Sequence, residues 1–344
     1  MTTTAGDESS PAGIIALYKG SSTESLASRA RALCVERHGG AVLLRGLIEY
    51  SNACSRDCLY CGIRASNPRV RRYRLGPEEI LAIAEKGYRA GLRSFVLQGG
   101  EDSGYAADSL PRAVELLRAR CPEAAITLSA GILSRSAYAR LREAGADRYL
   151  LRFETSDPDL HRRLRAGVSL ERRLEALSDL AGLDYQRGSG YMVGLPGETE
   201  ETRIANALLC RELELDMVGI GPFIPHPDTP LAGSEQSPIE LTVRATALVR
   251  LLLPDAHMPA TTAAGSLDPE GRELMILAGA NVLMPNLTPP EAKREYLLYP
   301  GKICLDEGGE TCIGCLGLRM RSIGRELSFL RGDAARVAAG ASHG

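Results

Sequence analysis

From about residue 40 onward the chain repeats one beat: a short apolar run, a turn rich in glycine or proline, then a stretch with apolar residues every three or four positions. The apolar runs are 42–50, 94–99, 125–129, 148–153, 191–195, 217–224, 258–262 and 281–285. The stretches between them carry the 3.6-residue period of amphipathic helices, as in 78–90 (Ile80, Leu81, Ile83, Ala84, Tyr88) and 241–253. One strand and one helix every ~30 residues is the spacing that parallel βαβ units need. Eight such units predict an α/β fold of the (β/α)8 TIM-type barrel class. A doubly wound open sheet is the alternative, because a pattern does not show closure. Residues 13–36 read as a lead-in helix and 1–12 as a small, polar, disordered tail. The expected organisation is therefore a tail and helix over 1–40, a barrel over 41–300 and a C-terminal extension over 301–344.

A barrel predicts where chemistry sits: at the C-terminal ends of the strands and in the loops that follow. Polar residues and glycines collect there. The second run ends Gly99-Gly100-Glu101-Asp102, the third Ser129-Ala130-Gly131 and the fourth Arg152-Phe153-Glu154-Thr155. Met192 and Gly194 end the fifth, Pro225-His226-Pro227 the sixth, Thr261-Thr262 the seventh and Met284-Pro285-Asn286 the eighth. Turn chemistry explains any one of these, but a shared end for all eight is harder to attribute to turns.

Composition narrows the classes. At 344 residues with 44% hydrophobic and 24% charged positions, the chain reads as globular. A net charge of −2 gives no overall electrostatic footprint for nucleic acid or an anionic membrane. No run approaches 18 apolar residues, and the N-terminus lacks the basic start and apolar core of a signal peptide. Nine cysteines, an odd number, suit a reducing cytoplasm.

The chemistry-bearing stretch is 51–62, directly after the first apolar run. Cys54, Cys58 and Cys61 stand at the spacing C-x3-C-x2-C, with the aromatic Tyr60 before the last. A four-iron cluster usually takes four thiolates, so three in one loop leave an iron open to bind a small molecule. Structural zinc is the competing reading, but it wants a fourth Cys or His nearby, and His38 and His161 are not at that spacing. A second group, Cys304, Cys312 and Cys315, is spaced C-x7-C-x2-C near a turn-rich Asp306-Glu307-Gly308-Gly309. For it a second iron–sulfur cluster, three free thiols and zinc all stand as readings. Cys34, Cys121 and Cys210 fall on helices and read as small core residues.

The loop resembles that of the radical S-adenosylmethionine (SAM) enzymes, whose open iron chelates SAM and whose cluster electron cleaves it to a 5′-deoxyadenosyl radical. Over residues ~40–325 the chain resembles the HydE family of [FeFe]-hydrogenase maturases. The matching segments include Tyr-Arg-Leu at 73–75, Phe-Val-Leu-Gln-Gly-Gly-Glu-Asp at 95–102, Glu-Ala-Gly-Ala-Asp-Arg-Tyr-Leu-Leu-Arg at 143–152, Met-Val-Gly-Ile-Gly-Pro-Phe-Ile-Pro-His-Pro-Asp-Thr-Pro-Leu at 217–231 and Leu-Tyr-Pro-Gly-Lys-Ile-Cys at 298–304. The resemblance implies a complete barrel holding a [4Fe–4S] cluster on Cys54, Cys58 and Cys61. Gly99, Gly100 and Glu101 would receive the SAM amino group and Arg173 its carboxylate. Tyr60, Glu154 and Met192 would be further SAM contacts, and Arg152, Tyr299, Thr261, Thr262 and Met284 would line the substrate end. For Met192 and Met284, barrel filling is an equally good reading. The second cysteine group resembles an accessory iron–sulfur site of some family members. The implied substrate is an iron–cysteine dicarbonyl cyanide complex made by the maturase HydG, with the scaffold HydF downstream and an external electron donor.

Two segments depart from the family pattern. Ser-Leu-Gly-Glu is Ser129-Ala130-Gly131-Ile132 here, and Arg-His-Glu-Thr is Arg152-Phe153-Glu154-Thr155. Both replace a polar group with an apolar one at the expected catalytic end, which predicts an altered substrate pocket. Ser-x-Gly-Ile resembles methylornithine synthase, so a HydE-like enzyme with its own small-molecule substrate, such as a mutase, stands beside the maturase reading. A non-catalytic iron–sulfur carrier is a third, but it has no use for Gly99-Gly100-Glu101 or Arg173.

Overall fold

The computed structural model describes residues 10–337. Nine short strands are all paired in parallel: β1 (Ala41–Leu44), β2 (Gly46–Ser51), β3 (Ser94–Gly99), β4 (Ala125–Ser129), β5 (Arg148–Leu150), β6 (Gln186–Val193), β7 (Met217–Pro222), β8 (Val282–Leu283) and β9 (Glu326–Ser328). β2 to β7 form one sheet in sequence order, and β8, β1 and β9 form a second. Backbone bridges close the two into a ring. Val218 N donates to His257 O (3.0 Å) and Ala260 N to Val282 O (2.9 Å). Leu47 N donates to Pro285 O (2.9 Å), and Leu287 N returns to Leu47 O (2.8 Å). Eight staves result, the seventh being the bridged stretch 257–259. β2 and β7 are buried at every position, as parallel strands covered on both faces must be.

The differences from the sequence reading have local causes. The seventh run is mostly not strand, because Thr261 caps the helix Thr262–Leu267 by accepting from Ala264 N (3.2 Å). β6 starts five residues earlier than its apolar run, through Gly188-Ser189-Gly190, which by composition reads as a turn. At Gly190 (φ +145°) a Cβ would lie 2.1 Å from Gly219 O, so the small residues serve close approach of two strands. The lead-in helix is two, Pro11–Gly20 and Thr23–His38, broken at Ser21-Ser22, where Ser22 Oγ caps the second. Ser10 caps the first, so residues 10–12 are ordered, while 1–9 of the expected tail lie outside the described residues. Cys34, Cys121 and Cys210 are buried as expected.

The two ends of the barrel differ. At the N-terminal end the fully buried Arg148 donates to Ser94 Oγ (3.0 Å) and Asp333 Oδ1 (2.8 Å), so the C-terminal segment stoppers the barrel. The C-terminal end is left open to the loops.

Candidate active site

The loop after β2 is held by its own backbone and by neighbours on three sides. Ser55 N and Ser55 Oγ both donate to Glu101 O (2.9 Å each), Leu59 N to Leu164 O (2.9 Å) and Gly62 N to Leu298 O (3.0 Å). Asn52 Nδ2 ties the loop start to Glu295 O (2.7 Å). A Cβ at Gly62 would sit 2.2 Å from Leu297 O and 2.6 Å from the His226 ring, so the loop is clamped between two segments. Cys54, Cys58 and Cys61 line a cavity of about 200 Å³ together with Gly99, Gly100, Glu101, Arg152, Glu154 and Arg173.

Glu101 is the electrostatic hub of that cavity. Arg56 Nε lies 2.7 Å from its Oε2, while Arg173 Nη2 (2.9 Å) and Arg165 Nη2 (3.1 Å) meet its Oε1. Burial pushes the Glu101 carboxyl up, but Arg173, Arg165 and Arg56 outweigh it and hold it below the ordinary value. Glu154 faces Arg152 Nη2 (3.0 Å) and Arg165 Nη1 (3.7 Å), and its backbone is left-handed (φ +69°). A non-glycine residue there stores about 1–3 kcal/mol of strain, which concentrates at functional sites. Gly131 (φ +76°) is required by its surroundings, since a Cβ would lie 1.9 Å from Glu101 Cγ.

Sequence reasoning missed Arg165 and Arg56. Arg165 is 6% exposed, donates to Tyr60 Oη (2.9 Å) and joins Tyr60 to both carboxylates. A readable signal existed: Leu160, His161 and Leu164 form the buried face of the helix Pro158–Leu164, and Arg165 continues it. A cation on an apolar stripe asks for a partner.

A second cavity, about 130 Å³, adjoins the first across Tyr60, Cys61, Arg152 and Glu154, and is lined further by Met192, Thr261 and Tyr299. Thr262 and Met284, expected at the substrate end, line neither cavity. Thr262 Oγ1 instead accepts from Arg272 Nη2 (3.2 Å). Phe153 and Ile132 also line neither, so neither apolar side chain forms part of a cavity wall. Along 152–154 the side chains alternate: Arg152 and Glu154 face the cavity, while Phe153 stacks on Tyr191 (centroids 6.0 Å) in the hydrophobic core. Ile132 packs against that core beyond the turn at Gly131.

The residues fit an iron–sulfur cluster with a zwitterionic ligand. Four guanidinium groups and two carboxylates face three thiols, and Arg152 Nε, Arg165 Nε and Arg173 Nε are buried without a hydrogen-bond partner. Burial pushes the Cys54 and Cys61 thiols up, so bound iron would have to hold them as thiolates. Among the described residues, the group whose donor atoms all converge within 4.8 Å is Cys304, Glu307 and Cys312. The loop thiols do not converge in that way, which suits the corners of a cluster rather than one zinc ion.

The second group is built differently. Cys304 has φ +63°, Cys312 is buried on the helix Gly309–Ser322, and Cys315 is exposed on the same helix, outside the convergent set. A hydrogen bond from Cys312 and the nearby Arg272 pull the Cys304 thiol down to about 6.

Residues 48–210 match the family model of the radical SAM superfamily. The chain is 47% identical to the [FeFe] hydrogenase maturase subunit HydE of Thermotoga maritima, over 84% of this chain and 82% of that protein. It is 30% identical to the 3-methylornithine synthase of Methanosarcina barkeri over 82% and 79% of the two chains. Among solved structures, methylornithine synthase (PylB) superposes with a TM-score of 0.81 at 26% identity, covering 94% of this chain and 97% of that one. HydG from Carboxydothermus hydrogenoformans shares the fold, with a TM-score of 0.74 at 18% identity, covering 93% and 76%. The protein is thus an enzyme whose cofactors are a [4Fe–4S] cluster and SAM. By the extent of its match, this chain belongs to the HydE family of radical SAM enzymes.

Proposed function

We propose that this enzyme is a maturase of the [FeFe]-hydrogenase active site, acting on a small organometallic precursor, the iron–cysteine dicarbonyl cyanide complex. The observation that carries this reading is the placement of Phe153 and Ile132 outside both cavities. Neither departure from the family pattern puts an apolar side chain on a cavity wall. The identity of 47% to a HydE, against 30% to a methylornithine synthase, supports the same choice. The setting would be a reducing cytoplasm, with HydG supplying the precursor and HydF receiving the product.

In this reading Cys54, Cys58 and Cys61 hold the cluster, which supplies, when bound and reduced, the electron that cleaves SAM to a 5′-deoxyadenosyl radical. The residues of the chain bind and orient. Arg173 and Glu101 present opposite charges 2.9 Å apart, a complement for the carboxylate and ammonium of one amino-acid group. Arg56 and Arg165 keep Glu101 ionised, so it receives the ammonium as a carboxylate. Gly100 lets the end of β3 close onto the cysteine loop, where a Cβ would lie 2.2 Å from Ala53 O, and Gly99 and Gly100 would present backbone to the SAM amino group. Met192, Thr261 and Tyr299 at the adjoining cavity would seat the substrate, with Arg152 and Glu154 at the junction. Excluding water there keeps a radical from side reactions. The second cysteine group would hold an accessory iron–sulfur centre that the chemistry does not need.

The test is anaerobic production of 5′-deoxyadenosine by the reconstituted, reduced protein with SAM alone, with the iron complex and with lysine. Strong stimulation by the iron complex alone is expected. Stimulation by lysine alone would move the protein to the mutases, a reading favoured by the close superposition on PylB. No cleavage under any condition would overturn the reading.

A further inference from the structure

Between Cys58 and Pro77 the chain has five arginines and no acidic residue, although the whole protein carries −2. The fold lays this segment over the outer side of the cysteine loop. Arg72 Nη1 donates to Asn52 O and Ile63 O (2.7 Å each), and Asn52 Nδ2 donates to Arg71 O (2.9 Å). Arg64 is turned inward onto Asp57 (2.6 Å) and, like Arg72, serves to fix the loop. The other three face outward. The Arg69 side chain is 76% exposed beside Asp228, Arg74 is 54% exposed beside Asp102, and Arg71 is exposed with no acidic partner among the described residues. Arg74 and Arg72 border a shallow surface depression of about 330 Å³, together with Cys54, Glu101 and Asp102. Cys54 and Glu101 also line the inner cavity, so they form the wall between that cavity and the surface.

We propose that this arginine ledge is the docking surface for an acidic, low-potential one-electron carrier protein, which passes its electron inward across Cys54. The inference rests on the reading that Cys54, Cys58 and Cys61 hold the cluster. An electron must enter from outside the chain before SAM can be cleaved, and tunnelling falls steeply with distance. The favoured entry is where a ligand cysteine separates the cavity from solvent. Positive charge beside that point steers a carrier of opposite charge and raises its rate of encounter. The balance is one electron: the carrier is oxidised by one, the cluster reduced by one, and no bond or proton changes place.

The test is the rate of cluster bleaching on anaerobic mixing, for the reconstituted full chain and for Arg69→Glu/Arg71→Glu. Reduced flavodoxin serves as the acidic donor and reduced methyl viologen as a small cation that needs no docking. The double variant is expected to be slowed ~10-fold or more with flavodoxin at low ionic strength, the gap closing as salt is added. With methyl viologen it should not be slowed. Equal flavodoxin rates in both proteins overturn the proposal. So does a parallel loss with methyl viologen, which would make the arginines supports of the loop. An iron count before mixing separates a failure of the cysteine assignment itself, which would remove the docking proposal with it.

Discussion

Cys54, Cys58 and Cys61 lie in a loop pinned to β3's end, to the helix Pro158–Leu164 and to residue 298, and they face a cavity lined by four arginines. Cys304, Cys312 and Cys315 sit in unlike settings: one in a left-handed turn, one buried on a helix and one exposed. Both groups are three cysteines in a glycine-bearing stretch, and composition hardly separates them. Surroundings do. The first group opens onto space holding unsatisfied buried donors, which leaves room and partners for a ligand beside the thiols. The second converges on Glu307, and its thiols regulate one another's protons. What separates two cysteine motifs of like composition is the cavity each one faces.

The sharpest way to break this comparison is to remove one cysteine from each group. Cys58→Ala should abolish SAM cleavage and the cluster's absorption, whereas Cys312→Ala should lower the iron count and leave cleavage intact. If cleavage is lost in Cys312→Ala, the two groups are functionally one. Next in size is Arg165→Met, which deletes the contacts to Tyr60, Glu101 and Glu154 at once. SAM affinity measured by calorimetry should weaken ~10–100-fold, as for outer supports of metal sites. Because buried carboxylates lose a partner, a stability loss of ~3 kcal/mol should accompany it in denaturant melts. Gly131→Ala follows: a side chain cannot share space with Glu101, so SAM binding should weaken while the far cysteine group's iron is unchanged.

Protonation distinguishes the groups more gently. In iron-free protein, alkylation at the Cys304/Cys312 pair should set in below the ordinary thiol range, while Cys54 and Cys61, pushed up by burial, should stay protected through neutral pH. The sign for stability follows from the depressed value: Cys304 contributes fully above the ordinary thiol value of 9.0 and loses that contribution as pH falls through about 6. The smallest effect on activity belongs to Phe153→His. Its ring sits in the strand–helix layer, so 5′-deoxyadenosine yield should barely change, while stability drops by ~1–3 kcal/mol from burying a polar ring.

How much was legible depends on whether a residue's role is local. The strand–helix beat and the Cys-x3-Cys-x2-Cys loop were readable because periodicity and spacing are properties of adjacent positions. The apolar pattern starts β6 at 191, and only the neighbouring strand explains the small residues at 188–190 that belong to it. Phe153 stands where the family pattern has a histidine, which predicts a change in the pocket. The fold turns its ring away from the cavity and into the core. Arg165 was passed over among the arginines of 162–165, two of which are exposed while it alone is buried.

The sequence by itself determined the class of fold, the loop that offers three thiolates, and the family to which the chain belongs, since these are written in contiguous residues. Tertiary structure alone decided that the staves close through single bridges and that Glu101 gathers three arginines from separate segments. It also set Ile132 and Phe153 outside the cavity. Charges 45 to 72 residues apart in sequence meet only when the barrel's strand ends bring their loops together, and no local pattern encodes that meeting.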